Sequence, residues 1–164
     1  MKKKAVFCVL ILLLGLLFAC KKEAPEELPD IDPKELFHEQ DYYDDIIYNA
    51  GVMGYSEHMK EEDREVLYGY LYQTKPAMTW GRYLEKRGKE DALASVVSEA
   101  WHILFTKDSG QEWANYSLFQ YRNRCYLVNF AGIYNDKTEE FIDDCLILEA
   151  DRKLMTYLEE HFQK

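Results

Sequence analysis

The hydrophobic pattern divides the chain into an N-terminal apolar run, a short polar segment and a folded body. An uninterrupted apolar run extends from Ala5 to Cys20. Beyond residue 31, apolar positions first recur every three or four residues, as in helices, and later alternate or cluster, as in strands. The pattern predicts an α+β body in which N-terminal helices pack on a small antiparallel sheet and a C-terminal helix closes the chain.

Four helices are predicted ahead of the sheet, and they span residues 32–50, 56–73, 80–87 and 90–105. The first has Asp32 as its cap and Pro33 at its first helical position. The second begins with Ser56 as a candidate cap, although the alternation around Gly69 leaves a strand open there. The third is closed by Gly88. The fourth has the most regular apolar period and is the clearest of the four.

A change in residue composition near residue 116 predicts the sheet. Tyr116 to Tyr121 and Cys125 to Tyr134 are rich in aromatic and aliphatic residues, and Asn123 between them tolerates a positive φ. The two segments are therefore predicted to form a β-hairpin. Ile142 to Ala150 is predicted as a third strand, with a helix as the alternative. The closing amphipathic helix is predicted from Leu154, Met155, Leu158 and Phe162.

The N-terminal apolar run has the features of a translocation signal. Lys2, Lys3 and Lys4 precede it, which is typical of a basic n-region before an apolar h-region. As a helix, the run would span only about 24 Å, less than the roughly 30 Å of the bilayer hydrocarbon core. A transient export segment therefore fits better than a permanent spanning helix.

The end of this run is more specific than the run itself. Leu17-Phe18-Ala19-Cys20, followed by Lys21-Lys22-Glu23, resembles the lipobox of bacterial lipoprotein precursors. In that class the cysteine thiol receives a diacylglyceryl group, and a dedicated peptidase cuts just before the cysteine. The resemblance implies an exported protein that is anchored through lipid at Cys20 to a cell-envelope membrane and faces the periplasm or the cell surface. An uncleaved anchor helix and an ordinary secretory signal are the alternatives.

The resemblance implies three parts: a signal peptide over residues 1–19, the lipidated Cys20 with an extended tether over residues 20–31, and a single globular domain over residues 32–164. Pro25 and Pro29 favour an extended tether. Fully extended, residues 21–31 would hold the domain roughly 34 Å from the bilayer.

The charge excludes one class of partner. The chain has 30 acidic and 20 basic residues, a formal net charge of -10. Removing residues 1–19 takes away three lysines, which changes the net charge to -13. A protein this acidic lacks the basic surface that releases counterions from DNA or RNA, so we expect no nucleic-acid partner.

The sequence carries no recognisable catalytic or cofactor motif. It has no phosphate-binding glycine loop, no G-x-S-x-G elbow and no C-x-x-C pair. We therefore predict no catalytic residue, no metal site and no cofactor. Once Cys8 is removed and Cys20 is lipidated, Cys125 and Cys145 remain, either joined in a disulfide or packed as free thiols.

The tyrosine content is unusual, because the chain contains 13 tyrosines. Many of them crowd the first half: Tyr42, Tyr43, Tyr48, Tyr55, Tyr68, Tyr70, Tyr72 and Tyr83. Such rings suit a protein interface or a sugar-stacking surface. The alternative is that they line the core.

These features favour a noncatalytic envelope lipoprotein that binds an envelope protein or glycan. A hydrolase acting on wall or lipid substrates, with Glu62 or Glu99 as general acid or base, is one alternative. A small-ligand carrier with a cavity between helices and sheet is the other.

Overall fold

The structure, a computed structural model, describes residues 26–50, 56–135 and 140–162. These residues form an α+β fold with five helices and a seven-stranded antiparallel sheet. The helices are α1 (Pro33–Phe37), α2 (Glu61–Leu71), α3 (Trp80–Arg87), α4 (Lys89–Val97) and α5 (Arg152–Phe162). The strands are β1 (Asp45–Ala50), β2 (Glu57–His58), β3 (Lys75–Thr79), β4 (Trp101–Lys107), β5 (Glu112–Tyr121), β6 (Arg124–Asn129), β7 (Tyr134–Asn135), β8 (Glu140–Phe141) and β9 (Leu146–Ala150).

The large sheet has the strand order β2-β1-β4-β5-β6-β9-β3, and β7 pairs separately with β8. Both edges of the large sheet are irregular. At one edge, β2 has only two residues. At the other edge, β3 contains Lys75 and Pro76, and its register shifts between Pro76 and Met78. Proline lacks the amide hydrogen that a further strand would need.

Alternation along the strands builds one core on each face of the sheet. The first core lies under α1, α2 and α5 and includes the strand residues Ile103, Phe105, Leu118, Leu127 and Leu148. The second core lies under α3 and α4 and includes the strand residues Phe119, Tyr126, Val128 and Ile147. Because side chains alternate between faces with a period of two, the central strands supply both cores.

Several local predictions are confirmed. The Asp32 side chain accepts a hydrogen bond from the backbone N–H of Lys34 at 3.0 Å, as a helix cap does. Helix α3 ends at Gly88, which has a φ of 84°. The β5–β6 hairpin turns through Arg122 and Asn123, both at positive φ. The closing helix forms as α5, and the third strand forms as β9 over Leu146–Ala150, the second part of the predicted segment 142–150.

The helix predicted over residues 32–50 is wrong beyond its first turns. Helix α1 ends at Phe37, and Asp45–Ala50 is strand β1. Ile46 and Tyr48 alternate into the first core, and β1 pairs with β4 along its whole length. Isoleucine and tyrosine favour strands, so the available partner strand outweighs the helical spacing.

The helix predicted over residues 90–105 is also wrong in its second half. Helix α4 ends at Val97, and the chain re-enters the sheet as β4. Trp101, Ile103 and Phe105 face the first core, while the residues between them are only partly buried. The helical spacing of the apolar residues continues by chance into β4, where apolar and partly buried positions alternate. The residues that fit this spacing before β4 are Leu93, Val96, Val97 and Ala100. The sheet is consequently larger than expected, and the predicted array of N-terminal helices is not observed.

The second predicted helix is shorter than expected at its start. Ser56 does not cap it, because Glu57–His58 forms β2 and α2 begins at Glu61 after Lys60. Gly69 lies inside α2, so the strand alternative for that segment is wrong.

Part of the predicted tether contacts the body. The Glu26 carboxylate accepts hydrogen bonds from the hydroxyl and the backbone N–H of Thr79, at 2.6 and 3.1 Å. Thr79 is the last residue of β3 and the N-cap of α3. The separation of roughly 34 Å, which assumed a free segment through residue 31, is therefore too long.

We expect Gly81→Ala to lower the free energy of unfolding by about 1–3 kcal/mol. A Cβ at Gly81 would lie 2.9 Å from the Cβ of Asp143 and 3.1 Å from its backbone oxygen. Urea denaturation followed by circular dichroism measures the change. Gly69→Ala is the matched control, because its Cβ would meet nothing within 4 Å. It should raise stability by about 0.5–1 kcal/mol in the helix. Equal stability of the Gly81 variant and wild type would contradict the packing.

Candidate binding cleft

A cleft of about 550 Å³ lies between α4 and the sheet. Five parts of the chain converge on it: α4, β5, the 3-10 turn Phe130–Gly132, the residue that follows this turn, and β8. Its walls are formed by Leu93, Val97, Trp113, Asn115, Phe130, Ala131, Ile133 and Phe141. Seven of these eight side chains are apolar, and none carries a charge.

The cleft exists because α4 is too short to cover its face of the sheet. Ser98 follows the last helical residue, Val97, and the chain then enters β4. On the uncovered face, Leu104 is only partly buried, whereas Ile103 on the opposite face is fully buried. The register aligns Leu104 with Ile47 on β1 and with Asn115 on β5. A half-covered row therefore extends from the cleft across three strands.

Trp113 is the most exposed aromatic residue of the cleft. Its side chain is 54% exposed, whereas Trp80 and Trp101 are almost completely buried, at 0% and 6%. Exposed tryptophan is costly in water and is enriched where a protein binds a ligand or a partner. Trp113 therefore lies at the open side of the cleft, where a bound molecule would meet its ring.

Two amide oxygens on this sheet face lack hydrogen-bond partners among the described residues. They are Oδ1 of Asn115, in the cleft wall, and Oδ1 of Asn49 on β1, and both atoms are buried. A buried acceptor without a partner costs about 1–3 kcal/mol. A ligand with a hydroxyl or amide donor could satisfy the Asn115 oxygen.

His102 and Ser117 support the cleft from behind. Nδ1 of His102 lies 3.2 Å from the Ser117 hydroxyl, and Nε2 lies 3.0 Å from the carbonyl oxygen of Val97. The Val97 carbonyl oxygen can only accept, so Nε2 donates to it, and in the neutral ring Nδ1 then accepts from the Ser117 hydroxyl. The His102 ring also meets the edge of Phe130 at 5.8 Å between centroids. These contacts hold the end of α4 against the sheet. Because Ser117 is fully buried, its hydroxyl is not an accessible nucleophile.

A lysine lies at the rim of the cleft. Nζ of Lys89, at the start of α4, lies 4.9 Å from the centroid of the Phe141 ring. Glu90 and Asp91 follow it and are exposed. The cation is therefore a local feature of the rim beside Phe141 rather than part of a basic patch.

The structure does not bring Cys125 and Cys145 together, and of the two alternatives left open by the sequence it has the two free thiols. Cys125 belongs to the first core, while Cys145 packs against the second. Cys125 pairs with Ala150, and Cys145 precedes Ala150 by five residues, or roughly 16 Å of extended strand. A disulfide needs Cα atoms within about 7 Å. Burial, followed by the charge of Asp144, raises the pKa of Cys145 to about 11.

Neither acid named for a hydrolase lines the cleft. Glu62 is 78% exposed and lies 3.9 Å from Nζ of Lys60. Glu99 is exposed in the turn before β4. A carboxylate that acts as general acid needs an enclosed site in contact with substrate, and both of these side chains are exposed.

The tyrosines named for a binding surface mostly line the cores. Tyr43, Tyr48, Tyr68 and Tyr83 are buried. Tyr42, Tyr70 and Tyr72 are partly buried, and Tyr55 lies outside the described residues. None of the described tyrosines lines the cleft, so the core alternative is the better interpretation. Burial is the largest cause that raises the pKa of Tyr68 above its ordinary value.

Within the described residues, no three histidine, cysteine or acidic side chains form a group that could hold a metal ion. In the same parts of the chain, every helix is too short or too polar to cross a bilayer. Cys20 and residues 1–19, over which a signal peptide is predicted, lie outside the described residues. No protein-family model matches the chain, and no curated protein or solved structure is significantly similar to it.

We expect the thiols of Cys125 and Cys145 to react slowly with iodoacetamide in the native protein at pH 8, because burial raises the pKa of each. The reaction of Cys145 should accelerate as the pH approaches 11, since the thiolate is the nucleophile. In denaturant both thiols should be labelled at once, and mass spectrometry counts them. A mobility shift between reducing and nonreducing gels, removed by Cys125→Ser, would contradict the free thiols.

Proposed function

We propose that this protein is a noncatalytic binding protein of the bacterial cell envelope, and that its binding site is the cleft beside α4. The observation that carries the proposal is the composition of the cleft wall. Seven apolar side chains surround Asn115, whose Oδ1 has no partner among the described residues. Apolar walls with a few placed polar groups are typical of small-molecule sites.

The chemistry of the wall favours binding over hydrolysis. General acid–base catalysis needs a titratable group within hydrogen-bond reach of the substrate, and the cleft wall contains none. The nearest histidine, His102, uses both ring nitrogens in contacts with Val97 and Ser117. These contacts hold the wall in place.

A small-ligand carrier is the form of this function that the cleft favours. Its volume of about 550 Å³ lies within the roughly 300–1,000 Å³ of ligand sites. A glycan partner is less well supported, because sugars need many hydrogen-bonding groups and Asn115 is the one polar side chain in the wall. An envelope protein that docks on Trp113 is the second candidate, since that ring is 54% exposed.

A lipid anchor would hold the protein at the membrane. By the resemblance to lipoprotein precursors, residues 1–19 are removed and lipid at Cys20 holds the protein to a cell-envelope membrane. Five residues separate Cys20 from Glu26, which is bonded to Thr79. Fully extended, that stretch reaches about 20 Å, so the body would stay close to the bilayer.

We expect Ala131→Trp to weaken binding of the dye 1-anilinonaphthalene-8-sulfonate at least about tenfold, or 1.4 kcal/mol, because the indole would fill the cleft. Fluorescence titration of the chain from residue 20, with Cys20→Ser, measures the dissociation constant. Val66→Trp is the matched control, since Val66 is 41% exposed on α2, on the opposite face of the sheet. Equal dye binding by both variants would reject the cleft as the site.

We expect Cys20→Ala to abolish labelling by radioactive palmitate in the native host, because the thioether cannot form without the thiol. Immunoprecipitation and autoradiography of the full-length protein measure the label. Cys125→Ala is the control and should keep full labelling, since this thiol is buried. Label that persists in the Cys20 variant would overturn the proposed anchor.

A further inference from the structure

The cleft suits a long apolar ligand better than a compact one. Beyond Asn115, Leu104 and Ile47 continue in register across β4 and β1, and both are half-buried. Adjacent strands lie about 4.8 Å apart, so the row adds roughly 10 Å to the cleft. The two parts form a track that begins under α4 and continues past the end of that helix over the partly buried Leu104 and Ile47.

The bonded end of the tether lies on the same side of the sheet as the cleft end of this track. Glu26 is bonded to Thr79, which pairs with Leu146 at the start of β9. The next residue of β9, Ile147, pairs with Val128 near the end of β6, and the chain continues from there into Phe130 of the cleft. Two strand spacings, about 10 Å, separate β3 from β6. The tether and the cleft therefore share one end of the sheet.

The rim offers a place for a charged head. Lys89 lies beside Phe141, at the edge of an otherwise uncharged wall. In a mature protein with a net charge of -13, most of the surface repels anions. Lys89, beside Phe141, would accommodate an anionic headgroup while the tail occupies the apolar wall.

Taken together, the geometry points to a ligand class: we propose that the cleft holds the acyl chain of an envelope lipid, with the headgroup near Lys89. This inference rests on the proposed function of the cleft. The lipid is distinct from the anchor on Cys20, because acyl chains anchor a protein only while they remain buried in the bilayer. The track and its shared end with the tether are the observations that select an acyl chain over a compact ligand.

Photochemical cross-linking tests the inference on the full lipidated protein. The protein is purified from cells grown without probe and reconstituted in phospholipid nanodiscs, so its own anchor carries no photoreactive group. A long-chain fatty acid bearing a diazirine is then added and irradiated, and adducts are mapped by mass spectrometry. We expect adducts on the peptides that contain Trp113 and Phe130–Phe141. Ala131→Trp should reduce their yield at least about tenfold, and Val66→Trp should not.

The outcomes separate this inference from the function on which it rests. Cleft adducts of equal yield in the Ala131 variant, or adducts only elsewhere on the body, would overturn acyl-chain binding. Absence of adducts, together with dye binding that Ala131→Trp still blocks, would overturn it while keeping the binding function. Loss of both the cleft adducts and the dye binding would overturn acyl-chain binding and the binding function of the cleft together. Adducts in the Cys20→Ala protein but not in the lipidated protein would assign the cleft to its own anchor and contradict the proposal.

Discussion

The structure depends on burying both faces of its central strands. Along β5, β6 and β9, successive side chains enter the first and the second core in turn, so neither layer of helices could be removed without exposing one face. Leu118 and Phe119 are adjacent in sequence, are almost completely buried, and belong to different cores. Apolar burial is worth about 25 cal/mol per Å², so a sheet shared by two cores gives a small protein more buried area than one core would.

The same constraint explains where the cleft forms. Helices α3 and α4 cover the second face only over part of its width, because α4 stops at Val97 and the chain immediately supplies β4. The strands beyond that point keep one buried face and leave the other partly open. The contacts of His102 with Val97 and Ser117 fix the end of the helix. The opening is thus built into the fold by the length of one helix and is held in place by the hydrogen-bonded pair His102 and Ser117.

The sequence predicts those elements whose signals are local. The turn at Asn123, the cap at Asp32 and the end of α3 at Gly88 depend on neighbouring residues, and each appears in the structure. Residues 90–105 show the limit of prediction from such local signals. Their apolar spacing fits a helix throughout, but the second half gains more by pairing with β1 and β5, and a partner strand distant in sequence is invisible to a periodicity argument.

The candidate site could not be found from the sequence for the same reason. Trp113 and Asn115 share a face only because the segment is a strand, and Leu93 and Phe130 join them only through tertiary packing. The alternation of Trp113, Asn115 and Ser117 was the one available signal, and it could have extended the predicted strand toward the N-terminus. The lipobox resemblance, in contrast, is a purely local pattern, and its residues lie outside those that the structure describes.

The irregular edges of the sheet have a consequence for a protein held on a membrane. Lipid anchoring, as proposed here, would confine copies to a plane and bring them into frequent lateral collision. A long, flat outer strand would then act as a template for neighbouring copies. Pro76, the register shift in β3 and the two-residue β2 remove that template at both margins. The fold is thereby suited to crowding without polymerising through its sheet.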